Sequence, residues 1–360
     1  MKNESLFTPL KLGAITIPNR ILMAPLTRCR ADADHVPTPI MVEYYVQRAD
    51  AGLLIAEATM ILPGTSAFWR EPGVYSPEQI AGWKKVTDAV HAKGGHIFLQ
   101  IWHPGRATHP LVNGGHEVVA PSALAITNDV IHTVEGKKDY PVPRELRDDE
   151  LPAIVAAFAQ AAKNAREAGF DGVEIHGANG YLLDEFIRDG SNKRTGPYGG
   201  SVENRARLLL EVVDAVIKAW SADRVAVRIS PLNSYNDMID SDPVSTYRYI
   251  AEKLNPLGLA YLHLMEADLF GIQKAEITPA IRQAFTGPLV GNMGHTPDSA
   301  AAAISAGTLD AVAFGRAYIS NPDLVHRIKA DAALAEPDAA TFYSPGPEGY
   351  TDYPALNVAA

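Results

Sequence analysis

The sequence predicts a single (β/α)₈ barrel, and three observations carry that prediction. Short apolar segments of strand length recur eight times through the 360 residues, amphipathic segments of helical period lie between most of them, and no proline-rich or serine-rich linker divides the chain. Alternation of this kind calls for parallel strands joined by helical crossovers. Eight such units in a chain somewhat above the roughly 250-residue norm favour one closed barrel over a doubly wound sheet with a second domain.

In chain order the expected strands are Ile21 to Ala24, Leu53 to Ala56, Ile97 to Ile101, Gly172 to Ile175, Val225 to Ile229, Ala260 to Leu264, Pro288 to Val290 and Ala311 to Phe314. The fourth, Gly172-Val173-Glu174-Ile175, is flanked by glycines as a buried strand often is. Helical period marks Pro77 to Ala92, Asp148 to Ala168, Val202 to Trp220 and Thr296 to Ala306. The main insertion, residues 104–147, follows the third strand. Within it Val130-Ile131-His132-Thr133-Val134 and Tyr140-Pro141-Val142 flank Glu135-Gly136-Lys137-Lys138-Asp139, a pattern that predicts a hairpin arching over the barrel mouth as a lid. The domain reading is therefore one unit over residues 1–360.

Composition narrows the functional classes. A chain that is 47% hydrophobic, 8% aromatic and 21% charged is that of a globular enzyme, neither disordered nor fibrous. A formal net charge of -10 repels nucleic-acid phosphates and anionic membrane surfaces. The N-terminal Met1-Lys2-Asn3-Glu4-Ser5 lacks a signal-peptide pattern, and no segment approaches the roughly 18 to 20 apolar residues of a membrane span, so a cytoplasmic protein is expected. The one cysteine, Cys29, excludes an internal disulfide and a cysteine-ligated cluster. The 11 histidines include no i, i+4 pair suited to a metal, and His116-Glu117 is not followed by the second histidine of a zinc protease motif.

In a barrel of this class the chemistry sits at the carboxyl ends of the strands. Polar residues stand there with regularity: Thr27 after the first, Glu57 after the second, Gln100 and His103 at the third, His176 and Asn179 after the fourth and Arg228 at the fifth. His176-Gly177-Ala178-Asn179-Gly180-Tyr181 is the most informative stretch. Two side-chain donors three residues apart can polarise a carbonyl oxygen, and a phenol two residues further on can supply a proton. The last two strands lead into Gly291-Asn292-Met293-Gly294 and Phe314-Gly315-Arg316, each before a helical segment, where barrels often bind phosphate on freed backbone N–H groups. Arg316 adds a fixed charge suited to a phosphate monoester. No G-x-G-x-x-G, G-x-x-x-x-G-K-[ST] or G-x-S-x-G occurs.

Taken together and in order, these residues resemble the old yellow enzyme family of FMN-dependent ene-reductases, particularly its bacterial members. The resemblance runs almost end to end: Pro18-Asn19-Arg20-Ile21 leading to Ala24-Pro25-Leu26-Thr27-Arg28, Glu57-Ala58-Thr59, Gln100-Ile101-Trp102-His103 with Gly105-Arg106, and the His176 to Tyr181 block. It continues through Tyr198-Gly199-Gly200-Ser201-Val202-Glu203-Asn204-Arg205, Ala313-Phe314-Gly315-Arg316 and Glu348-Gly349-Tyr350-Thr351-Asp352-Tyr353-Pro354.

The resemblance implies an FMN across the barrel mouth and NADPH or NADH as reductant. Pro25 and Ala58 would border the ring, Thr27 would donate toward O4, Gln100 would pair with the pyrimidine edge, and Arg228 would favour the charge that develops toward N1. Gly294, Gly315 and Arg316 would hold the phosphate. Cys29 lies two residues after Thr27, away from the flavin-contacting cysteine of the family's other large subgroup, which places the chain in the threonine-bearing branch. His176 and Asn179 would bind the oxygen of an α,β-unsaturated carbonyl or nitro compound, and quinones are further acceptors. Tyr181 would protonate the α-carbon after hydride reaches the β-carbon, in a ping-pong cycle that shares one pocket. Phe68, Trp102 and Tyr343 would line that pocket, and the loop from Leu232 to Val244 would help to shape it. A dihydroorotate dehydrogenase-like flavin barrel and a flavin-binding sensor without turnover stay open on the residues alone, whereas one cysteine and this length exclude a dienoyl-CoA reductase-like enzyme and a phosphosugar isomerase does not explain Gln100, Arg228 and Thr27 together.

Overall fold

The structure, a computed structural model, describes residues 2–356. Met1 and residues 357–360 of the expected 1–360 unit lie outside the described residues. Eight parallel strands close into a barrel: β1 Ile21–Met23, β2 Leu53–Met60, β3 Ile97–Trp102, β4 Gly172–Gly177, β5 Val225–Ile229, β6 Tyr261–Met265, β7 Leu289–Asn292 and β8 Ala311–Phe314. All eight expected strands are present. β2 runs on past Ala56 to Met60 because a bulge between Ala56 and Thr59 lets it keep pairing with β3.

The helices form where the sequence carries start signals. Ser76 and Gln79 make a capping box ahead of Pro77–Ala92, Ser201 accepts from the Asn204 amide at the head of Val202–Ala219, and Thr296 with Ser299 caps Pro297–Ser305. Leu151–Glu167 fills the predicted segment after a short 3₁₀ turn at Asp148–Glu150. The crossovers after β1, β5 and β6 carry Pro39–Val46, Pro243–Leu254 and Thr278–Ala284.

Period-two alternation along the strands separates two cores. Leu54, Leu99, Val173, Val227, Leu262 and Val312 face outward and pack under the helices. Leu22, Leu53, Ile55, Phe98, Tyr261, Val290 and Ala311 fill the barrel's interior, together with Leu12, Ile15 and Ile17. The last three belong to an N-terminal hairpin, Leu10–Leu12 with Ile15–Ile17, that plugs the barrel's lower end. Gly172 makes room for the interior ring of Phe98, whose Cζ lies 2.4 Å from where a Cβ would stand.

The hairpin in the insertion forms, with a different turn. Val130–Thr133 pairs antiparallel with Gly136–Asp139, so the stretch expected to be the turn is the second strand. The reversal occurs at Val134-Glu135. It closes on Gly136 at φ 91°, and the Thr133 hydroxyl donates to the Gly136 carbonyl at 2.8 Å. A tight turn ending in a left-handed glycine outweighs the polar character of the residues that follow it.

Candidate active site

Moving up the barrel's interior, side chains change from apolar to polar. Phe98 gives way to Gln100, Tyr261 to His263, Ala226 to Arg228 and Val290 to Asn292, while β4 carries Glu174 and then His176 on the same face. Gln100 is in register with Glu174, and Arg228 with both His176 and His263. The Glu174 carboxylate accepts from Gln100 Nε2 at 2.8 Å, the Tyr261 hydroxyl at 3.0 Å and His263 Nδ1 at 2.9 Å. Burial favours its neutral form, but His263, Arg228 and Gln100 together hold it below the usual carboxylate range. Glu174 thus stays charged and orients Gln100, leaving the amide's remaining N–H and its oxygen for a ligand. The sequence reading missed Glu174, His263 and Asn292, although strict alternation from Gln100 and His176 points to the interior face they occupy.

Arg228 is buried, and its Nη2 donates to Asn292 Oδ1 at 2.8 Å while Asn292 Nδ2 donates to the Ala313 carbonyl at 2.7 Å. Arg228 Nε, Trp102 Nε1 and His176 Nδ1 are buried without a protein partner. Unsatisfied polar groups at one barrel mouth are the mark of a polar ligand.

His176 is the last residue but one of β4 and is buried. Desolvation, then the Arg228 and His263 charges, push its pKa well below the usual histidine value, so it is neutral. His103 at the end of β3 is likewise lowered to about 4 by burial. Asn179 sits in the turn beyond β4 at φ 59°, a left-handed conformation asparagine tolerates. Asn233 Nδ2 donates to Asn179 Oδ1 at 2.9 Å, Asn236 Nδ2 donates to the Asn179 carbonyl at 3.0 Å, and the Asn179 amide donates to Ser230 Oγ at 2.8 Å. The backbone N–H groups of Leu269 and Tyr235 donate to Asn233 Oδ1, which fixes which way Asn233 faces. Asn179 therefore has its oxygen engaged and its NH₂ left as a donor.

A fully buried ion pair supports this turn from below. Arg188 Nε meets Asp184 Oδ1 at 3.0 Å, Tyr247 donates to the same oxygen, and Arg188 reaches the Asn233 carbonyl at 2.8 Å and the Ser230 carbonyl. These residues come from three separate segments, and no local pattern marks them as partners of Asn179.

Tyr181 is 7% exposed, with its ring edge-on to Trp102 at 4.5 Å and to His176 at 5.0 Å. Burial, then the neighbouring Tyr235, Tyr343 and Tyr140, raises its phenol well above the usual tyrosine pKa, so it keeps its proton. Tyr181, Phe68 and Tyr343 line a cavity of about 670 Å³, with Tyr235 and Asn236 from the loop after β5 and Asp129 to Thr133 from the insertion hairpin. Phe68 stacks on Tyr343 at 5.9 Å, and Trp102 is fully buried behind Phe68 and Tyr181.

The remaining predicted residues gather around the same mouth. Pro25 is buried and Thr27 half-buried in the segment after β1, and Ala58 is buried at the bulge in β2. Glu57 beside it accepts from the Arg28 amide and Tyr45 hydroxyl, with burial raising it to about 7. Gly294 at φ 79° follows β7, and Gly315 leads from β8 into helix Arg316–Ser320 with the Arg316 side chain exposed. In the barrel order β4-β5-β6-β7-β8-β1-β2-β3, this corner stands across the mouth from the His176, Asn179 and Tyr181 corner.

A long ligand with a phosphate at one end and a ring with hydrogen-bonding edges over the centre matches that layout. An orphan Nε at Arg228, an anchored amide at Gln100 and an open glycine turn fit FMN. Among the described residues no group of three or more His, Cys, Asp or Glu could hold a metal ion.

Barrel and site together define a flavin-dependent oxidoreductase. The model of the NADH:flavin oxidoreductase / NADH oxidase family matches residues 5–335, and the chain belongs to that family. It is 50% identical over 359 residues to a probable flavin mononucleotide-dependent alkene reductase of Leishmania infantum, covering 98% of this chain and 97% of the relative. The solved old yellow enzyme from Trypanosoma cruzi is 44% identical, with a TM-score of 0.96 over 98% of this chain and 99% of its own. Morphinone reductase in complex with tetrahydroNAD is 46% identical, with a TM-score of 0.93 and 98% of each chain covered. The resemblance read from the sequence is thereby established for the fold and the family.

Proposed function

We propose that this chain, as one FMN-binding barrel domain over residues 1–360 with 104–147 inserted at the mouth, reduces electron-poor alkenes at the expense of NAD(P)H. The observation that carries this reading is the meeting of His176, the oriented amide of Asn179 and the protonated phenol of Tyr181 at one strand end. FMN, when bound, would supply the hydride chemistry that links NAD(P)H to the β-carbon of the alkene. Pro25, Thr27, Ala58, Gln100 and Arg228 would border and orient its ring, and Gly294, Gly315 and Arg316 its phosphate.

His176 and Asn179 hydrogen-bond the carbonyl or nitro oxygen of the substrate and stabilise the charge that gathers there as the β-carbon takes up hydride. Tyr181 gives its proton to the α-carbon, completing addition of hydride and proton across the double bond, and regains a proton from solvent. Phe68 and Tyr343 provide the apolar side of the pocket, and Trp102, expected there too, instead packs behind Phe68 and Tyr181. Quinones and nitro compounds are proposed as further acceptors. No helix among the described residues is long and apolar enough to cross a membrane, and a cytoplasmic location is proposed. Reoxidation of the NADPH-reduced protein by a panel of enones, quinones and nitro compounds tests the reading; failure with every enone would reject it.

Two expected results bear on the parts. Arg316→Ala should weaken retention of the cofactor, because the exposed guanidinium has a phosphate to lose and no buried role. Mass analysis of the released flavin should give FMN, and FAD would contradict the assignment. Phenols should bind as phenolates between His176 and Asn179, since an anionic oxygen resembles the developing enolate. p-Hydroxybenzaldehyde should then give a long-wavelength charge-transfer band that is lost when both side chains are removed, whereas an unchanged band would place the phenol elsewhere.

A further inference from the structure

A second cavity of about 420 Å³ adjoins the first, and Trp69 and Arg70 line both. We propose that it seats the adenosine phosphate half of the nicotinamide coenzyme, with Trp69 stacking on the base and Arg70 pairing with phosphate. The proposal rests on the reading of NAD(P)H as reductant, whose nicotinamide end belongs in the first cavity beside Tyr181.

Trp69 is presented at a structural cost. It is 54% exposed, and the Arg70 amide donates to the Phe68 carbonyl at 2.8 Å across it, a three-residue turn that holds Trp69 at φ 72°. That conformation is strained for a bulky residue, and strain of this kind concentrates at ligand-binding sites. An exposed indole between two cavities offers a face for a purine.

Charge and polarity point to the same ligand. In a chain of net charge -10, the lining of the second cavity carries Arg70, His35 and His116 and no carboxylate. Ser66 and Asn113 also line it, each 3% exposed, and Ser66 Oγ and Asn113 Oδ1 have no protein partner. Asn113 Nδ2 is already committed to the His116 carbonyl at 3.1 Å, so its oxygen is the acceptor left for an adenine amine or a ribose hydroxyl. A π-face, an unpaired acceptor and a cation within one groove are what an adenosine phosphate requires. Both cavities fall in the size range of small-molecule sites.

Arg70 is the strongest cation of the groove, so the extra phosphate of NADPH should be read there. The test uses the flavin-loaded protein and 2′,5′-ADP, which carries that phosphate and no nicotinamide. It should bind and quench tryptophan fluorescence, with the quenching lost in Trp69→Phe and binding weakened in Arg70→Ala. In Arg70→Ala the ratio of kcat/KM for NADPH over NADH should fall about tenfold, a comparison within one variant that is blind to general damage. Failure of 2′,5′-ADP to bind, or an unchanged ratio, would overturn the proposal. Binding of 2′,5′-ADP to a protein that neither coenzyme reduces would support the groove and reject the ene-reductase reading instead.

Discussion

Removing both oxygen-binding donors, with His176→Ala and Asn179→Gly, is expected to lower kcat/KM for cyclohexenone by about 10³ or more. One preorganised donor to a developing oxyanion is typically worth about 10² to 10³ in rate, and the proposed function gives one oxygen two. Glycine is the better replacement for Asn179, because the backbone stands at φ 59° and alanine there would add strain unrelated to the amide. The turn keeps its other supports, since Ser230 and Asn236 hold Asn179 through its backbone. Steady-state kinetics with the enone, beside the fraction of bound FMN, decide the matter. A loss below about tenfold with FMN retained would mean that the oxygen is held by other groups.

The barrel was legible because each strand is a compact apolar run and three of the four mapped helices begin at a capping side chain. Less legible was the depth at which residues sit. Gln100, His176 and Arg228 announced themselves as polar residues in apolar strands, whereas Glu174, two residues before His176, fell inside a run already counted as strand and was passed over. Its role depends on register with Gln100 and on Tyr261 and His263 from β6, which no local window contains. The same limit applies to Asn179. Its type and spacing identified a donor, but its orientation comes from Asn233, and Asn233 is held through Arg188, 45 residues away along the chain. The insertion hairpin failed locally instead. Polar residues after Gly136 looked like turn, while the φ of that glycine is what places the turn before it. The groove beside Trp69 left no sequence signal, since its lining comes from loops after β1, β2 and β3 that are far apart in the chain, and its polar residues are unremarkable singly.

Replacing the Tyr181 hydroxyl by hydrogen, in Tyr181→Phe, should divide the catalytic cycle. The half in which NADPH is oxidised needs no proton from this side and should be nearly unchanged. Reduction of cyclohexenone should fall by roughly 10² to 10⁴, the range of a lost proton donor, which corresponds to about 3 to 5 kcal/mol. Ring packing should survive, because the contacts with Trp102 and His176 are edge contacts of the aromatic ring. Acceptors whose product takes its proton readily from water, such as quinones and nitroalkenes, should lose far less. The pH dependence follows from the sign of each shift. Tyr181, raised well above its usual value, stays protonated and able to donate, and His176, lowered well below its own, stays neutral. Neither Tyr181 nor His176 should therefore give enone reduction by the parent a limb between about pH 6 and about pH 9, the ordinary histidine pKa of about 6.5 included. Stopped-flow traces of the two halves at several pH values separate the outcomes. Equal losses in both halves would indicate damage to the whole site, an unimpaired enone half would assign the proton to another group, and a limb near pH 6.5 would show that His176 titrates during the reaction.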